Sequence, residues 1–122
     1  MNQDTICAIA TAQGGAIGCI RVSGPEAIEI TSRIFTPATM GKKLEDSKPY
    51  TLTFGRIHEG PEIIDEVLVS LFRAPHSYTG ENSTEITCHG SVYILQKVLQ
   101  LLIANGCRMA QPGEYTQRAF LN

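Results

Sequence analysis

An excess of positive charge is missing from this chain: ten Lys and Arg stand against twelve Asp and Glu in 122 residues, a formal net charge of -2. Domains that grip nucleic acid unaided carry basic patches that displace counterions from phosphates, so any RNA-binding surface is expected to lie elsewhere. Long apolar runs are also missing. The stretch Leu101-Leu102-Ile103-Ala104 falls far short of the roughly 20 residues of a membrane span. The polar start Met1-Asn2-Gln3-Asp4 is no secretory signal, so a cytoplasmic protein without membrane attachment is expected. The cysteines Cys7, Cys19, Cys88 and Cys107 form no C-x-x-C pair, and no H-x-x-x-H occurs, so zinc is not expected and reduced, packed thiols are. No G-x-x-x-x-G-K-[ST] is present, and the turn holding Gly14, Gly15 and Gly18 leads into a strand instead of a helix. Nucleotide hydrolysis by these residues is therefore not expected.

What is present is the make-up of one folded domain, with 43% hydrophobic and 18% charged residues, able to bury roughly two thirds of its unfolded surface. The β-branched runs Thr5 to Thr11 and Ile17 to Ser23, separated by Ala12-Gln13-Gly14-Gly15-Ala16, predict a hairpin. Ser23-Gly24-Pro25 opens a helix that ends before Pro37, with Ala27, Ile30 and Ile34 as its apolar stripe. Residues 38 to 48 read as a polar surface connection. Alternation predicts a half-buried strand over Tyr50 to Ile57, and His58 to Asp65 joins it to a run, Val67 to Phe72, apolar enough for a central strand covered on both faces. A loop, Pro75 to Asn82, precedes a fifth strand, Ser83 to His89. Ser91 to Asn105 carries amphipathic spacing and is followed by Gly106 as a cap, and a last helix begins near Pro112-Gly113-Glu114. About five mostly antiparallel strands and three helices without regular alternation predict an α+β fold. Tyr115 to Asn122 keeps helical character without a cap, as expected of a chain cut from a longer one.

Two charges interrupt predicted strands: Arg21 between Ile20 and Val22, and Glu85 between Thr84 and Ile86. A charge on a sheet is costly to bury unless paired or used. Period-2 alternation places Ile17, Cys19 and Arg21 on one face, and Glu85, Thr87 and His89 on one face. A structural ion pair or a solvated face would account for both charges. The alternative is a pocket for a polar planar ligand, in which a carboxylate meets two adjacent ring N–H donors and the arginine meets a carbonyl or carboxylate. His89 is read as hydrogen-bonded at a strand end, since no serine or aspartate is placed to complete a triad. Cys88 and His89 point to opposite faces and make no dyad. Tyr78 and Tyr115 lie in polar segments, where stacking on a ring and rim packing are equally open.

Four blocks also carry a resemblance along the whole chain: Asp4-Thr5-Ile6 with Ala8 to Thr11, Gly18 to Gly24, Ser77 to Glu81 with Glu85-Ile86 and Cys88-His89-Gly90, and Pro112 to Thr116 with Arg118 to Asn122. Residues 1–122 closely resemble the amino-terminal domain of the MnmE (TrmE) family of tRNA modification GTPases. That domain is similar to the tetrahydrofolate-binding domain of glycine-cleavage T-proteins. The resemblance implies binding of a tetrahydrofolate derivative, such as the 5-formyl or methylene form, and a homodimer formed through this domain. It further implies a parent with helical and Ras-like G domains using GTP, Mg2+ and K+. With the FAD-containing partner MnmG, that parent would place an aminomethyl or carboxymethylaminomethyl group on C5 of the tRNA wobble uridine. The family's folate-contacting arginine and glutamate match Arg21 and Glu85, and its contacting lysine would lie beyond Asn122. Gln13-Gly14-Gly15-Ala16 and Gly90-Ser91 depart from the family's usual Gly-Arg-Gly-Gly and Gly-Gly. No residue here inherits a catalytic role. A dimerisation scaffold that holds no folate is the alternative reading.

Overall fold

The computed structural model describes residues 4–11 and 14–122. Its elements in chain order are β1 (Ile6–Ile9), β2 (Ile17–Ser23), α1 (Ala27–Ile34), β3 (Phe35–Pro37), a 3-10 turn (Leu44–Asp46), β4 (Thr51–Glu59) and β5 (Glu62–Phe72). Then follow β6 (Ser83–His89), α2 (Val92–Ala104), β7 (Arg108–Met109) and α3 (Glu114–Leu121). The strands form one seven-stranded sheet in the order β3-β4-β5-β6-β2-β1-β7. All pairings are antiparallel except β1 with β7. The α+β class stands, and the expected five strands become seven. The two additions, β3 and β7, are edge strands of three and two residues, too short to show a period. Pro37 ends β3 on an edge, where a missing N–H breaks no ladder.

One face of the sheet carries the core. Ile20, Val22, Val67, Val69, Leu71 and Ile86 meet Ala27, Ile30 and Ile34 of α1 and Leu95, Val98, Leu99 and Leu102 of α2 in one buried cluster. The helical stripes are those the sequence predicts. Three expectations need correction. The β4–β5 connection is only Gly60-Pro61, because both strands run on past the predicted ends, with a register shift between Ile57 and His58. β5 is interior to the sheet, yet its second face is not covered, and Leu68 is 38% exposed. Within residues 38 to 48, Leu44 of the 3-10 turn reaches the core and is buried. The predicted first turn falls partly on Ala12 and Gln13, outside the described residues.

α1 starts at Ala27, later than predicted, because Gly24 has φ 143° and a Cβ there would stand 2.6 Å from the Thr5 Cα. Thr5 Oγ1 accepts from the Glu26 N–H at 3.0 Å, occupying a donor that the helix leaves open. α2 begins as predicted: Ser91 is its N-cap and accepts from the Ile94 N–H at 3.3 Å. Ser91→Ala is therefore expected to lower stability by about 1 kcal/mol, read as a shift in the urea midpoint at unchanged slope. An unshifted midpoint would mean that water replaces the cap at no loss.

Candidate functional site

The second face of the sheet is where the interrupting charges meet. Register sets Arg21 of β2 opposite Glu85 of β6, Glu85 opposite Ser70, and Ser70 opposite Leu52. Arg21 Nε donates to Glu85 Oε2 at 3.0 Å, with side chains 31% and 30% exposed. No hydrogen bond among the described residues reaches Glu85 Oε1 or the terminal guanidinium nitrogens. The ion-pair reading is thus correct for one edge of each group, while the other edge keeps its capacity.

Aromatic rings bracket the guanidinium. Its Cζ lies 5.5 Å from the Tyr78 ring centroid and 5.7 Å from that of Tyr115, within the range of cation–π attraction. Tyr115 enters from α3, and its hydroxyl donates to the Arg21 carbonyl at 2.6 Å. Burial raises its phenol pKa above the usual range, so the hydroxyl stays protonated and keeps donating. Tyr78, 59% exposed, comes from the loop between β5 and β6. A cavity of about 190 Å³ lies among Arg21, Phe72, Tyr78, Thr79, Ser83 and Glu85. Chemically, this is a carboxylate oxygen and a guanidinium fork set at the mouth of an aromatic-walled recess.

A buried polar network holds the loop that carries Tyr78 and Thr79. Thr79 and Ser23 share a hydroxyl–hydroxyl bond of 2.6 Å, and Ser23 donates to Glu81 Oε1 at 2.8 Å. Arg118 of α3 donates to both Glu81 oxygens at 3.2 and 3.3 Å, to Glu114 at 3.2 Å and to the Asp4 carbonyl at 2.6 Å. Arg108 reaches the two Glu114 oxygens at 3.1 and 2.7 Å. Sequence reasoning singled out none of these as a unit. The one local signal is Glu114 four residues before Arg118 on a helix. A larger cavity, about 610 Å³, opens beside this network between Pro25, Arg108, Gln111 and Asn122. Its cations are already matched by carboxylates, whereas the smaller recess retains unused donors and an unused acceptor.

The remaining predicted residues lie apart from the recess. His89 Nδ1 is 2.7 Å from Asp65 Oδ1 and its backbone N–H donates to Asp65 Oδ2 at 2.9 Å, so it is hydrogen-bonded at a strand end as expected. The expectation that no aspartate is placed beside it is overturned, because β5 brings Asp65 to it from a distant part of the sequence. Cys88 is buried on the other face, with its thiol pushed up to about 11 mainly by burial. Cys7 and Cys107 are likewise buried, Cys19 is half-buried, and all four thiols are free. Around His89, the open sheet face exposes Ile17 (62%), Phe54 (49%) and Leu68, and further along the same face, in the row of Ser70 and Glu85, it exposes Leu52 (63%). No helix among the described residues is long and apolar enough to cross a membrane.

Comparison with known proteins agrees along the whole chain. Residues 5–122 match the family model described as GTP-binding protein TrmE N-terminus. All of this chain is 85% identical to 26% of a tRNA modification GTPase MnmE of Bacteroides thetaiotaomicron, and equally to one of Bacteroides fragilis. The corresponding protein of Porphyromonas gingivalis is 51% identical over 99% of the chain, again 26% of the relative. The chain thus spans about a quarter of the length of the curated relatives it matches. With 85% identity across its full length and a model match from residue 5 to residue 122, the chain belongs to the family of TrmE N-terminal domains.

Proposed function

We propose that residues 1–122 form a domain that binds a tetrahydrofolate derivative at Arg21 and Glu85 and associates with a second copy of itself. The observation that carries this reading is the half-used Arg21–Glu85 pair at an aromatic-walled recess. Glu85 Oε1 suits a ring N–H or amino donor, as on a pterin edge, and the guanidinium fork suits a carbonyl or carboxylate of the same ligand. A recess of about 190 Å³ is below the roughly 300–1,000 Å³ of enclosed ligand sites. It takes the heterocycle, and the rest of the ligand extends over the open face. There Ile17, Leu52, Phe54 and Leu68 are exposed together, a surface that association with a second copy would bury.

Similarity to the tetrahydrofolate-binding domain of glycine-cleavage T-proteins belongs to the same proposal. In a whole protein of the relatives' kind, this domain would hold the one-carbon unit in the cytoplasm. GTP hydrolysis with Mg2+ and K+ would belong to a G domain, and the FAD partner MnmG and tRNA would meet the assembled complex. The chain carries no phosphate loop, so no nucleotide step is assigned to its residues.

Calorimetric titration with 5-formyltetrahydrofolate tests the ligand. Saturable heat is expected, and Glu85→Ala is expected to weaken binding at least about tenfold, ~1.4 kcal/mol. The thermal midpoint should move little, because an ion pair this exposed contributes about 0–1 kcal/mol. Equal affinity of the variant, or no heat from the native chain, defeats the site. A second reading, a scaffold without folate, is favoured by the 3.0 Å contact between the two groups. A dimer in sedimentation together with a silent titration would establish it.

A further inference from the structure

Tyr50 is the residue other than glycine, among the described residues, whose backbone is left-handed, with φ 63°. A bulky side chain holds that conformation only when its surroundings impose it, and such residues gather at binding sites. Core packing is not the cause, since Tyr50 is 64% exposed. Three contacts hold it instead. Its N–H donates to the Leu71 carbonyl at 2.8 Å, at the end of β5. Its ring meets the Phe72 ring edge-on, with centroids 5.9 Å apart and planes at 77°. Its hydroxyl donates to the His76 carbonyl at 2.9 Å.

Those contacts converge on the recess. Phe72 forms one wall, and His76 lies two residues before Tyr78, whose ring faces Arg21. From these placements we infer that Tyr50 is a positioning residue for the candidate ligand site. It clamps the Phe72 wall and the loop bearing Tyr78 in the binding geometry before a ligand arrives. This rests on the reading that the recess takes a flat heterocycle. A loop already fixed loses less conformational freedom on binding, so the clamp acts through affinity.

The test compares the native chain with Tyr50→Phe, which keeps the ring and removes the hydroxyl. Titration with 5-formyltetrahydrofolate is run beside thermal unfolding and amide hydrogen exchange at His76, Ser77 and Gly80, whose N–H groups are bonded within the loop. Binding is expected to weaken about three- to tenfold, the effect of one lost hydrogen bond. Loop exchange should quicken while the thermal midpoint stays within about 3 °C. Tyr50→Leu, lacking ring and hydroxyl, should bind more weakly still. Unchanged affinity and loop exchange in Tyr50→Phe overturn the inference, as does a loss of affinity that only tracks a large fall in midpoint. A native chain that binds no folate defeats the proposed function, and loop exchange then decides the clamp: faster in Tyr50→Phe upholds it, unchanged overturns it.

Discussion

Replacing Arg118 by alanine is expected to destabilise the fold by about 3–5 kcal/mol, the usual cost of removing one partner from a buried ion pair. Arg118 is 6% exposed and its guanidinium serves Glu81, Glu114 and the Asp4 carbonyl together. Without it, the Glu81 carboxylate keeps, among the described residues, only the Ser23 hydroxyl as a donor, at a position where its side chain is 16% exposed. Glu114 fares better, because Arg108 still reaches both of its oxygens. The main loss therefore falls on the loop bearing Tyr78 and Thr79, next to the recess. Arg118→Lys should recover only part of the loss, since a single ammonium cannot span three separate acceptors in the way a planar fork does. Urea unfolding with linear extrapolation measures this. A loss below about 1 kcal/mol for Arg118→Ala would place the network in the weak class of solvated surface pairs.

Acid is expected to find the same network. The bonds from Arg108, with help from the Gln111 N–H, hold the Glu114 carboxyl down at about 2 against burial, which opposes them. In the unfolded chain it titrates near about 4.3. Because the folded value is the lower one, the stabilisation is complete above the unfolded value and is lost as pH falls through the folded value. Between about pH 4.5 and pH 2, stability should drop by about 2.5 kcal/mol on this account, with the full loss of about 3 kcal/mol reached only below the folded value. Glu45 is lowered in the same direction by the Ser32 hydroxyl, so a residual slope is expected in any variant. Glu114→Gln should begin less stable at pH 6 and show a visibly shallower decline below pH 4.5. Parallel declines in the native chain and this variant would show that Glu114 does not carry the acid response.

How far the sequence reveals this molecule depends on the range over which each feature is set. β2, β6 and α2 are read within a residue because each has an unbroken period bounded by turn formers or a cap. Arg21 and Glu85 are conspicuous for the same local reason, as charges inside apolar alternation. Their lying on one face of their strands follows from the period of two, but their meeting does not. That required β2 and β6, separated by 59 intervening residues between Ser23 and Ser83, to pair in the one register that sets Arg21 against Glu85. The edge strands β3 and β7 were illegible because two or three residues carry no period, and only a neighbouring strand makes them strands.

The surroundings of the site were less legible still. Tyr78, Tyr115, Ser23, Glu81 and Arg118 come from a loop, a strand and the last helix, and nothing in their local spacing announces that they converge. By itself the sequence determined the periodic elements, the core-facing stripes, the two conspicuous charges and the family, because each is written in short-range pattern or in matched blocks. The tertiary structure alone decided which edges of those charges remain unused, which rings flank them and what clamps the loop above them. Those properties depend on strand order and register, and both are set by burial of the whole sheet against α1 and α2, which no local window of residues contains.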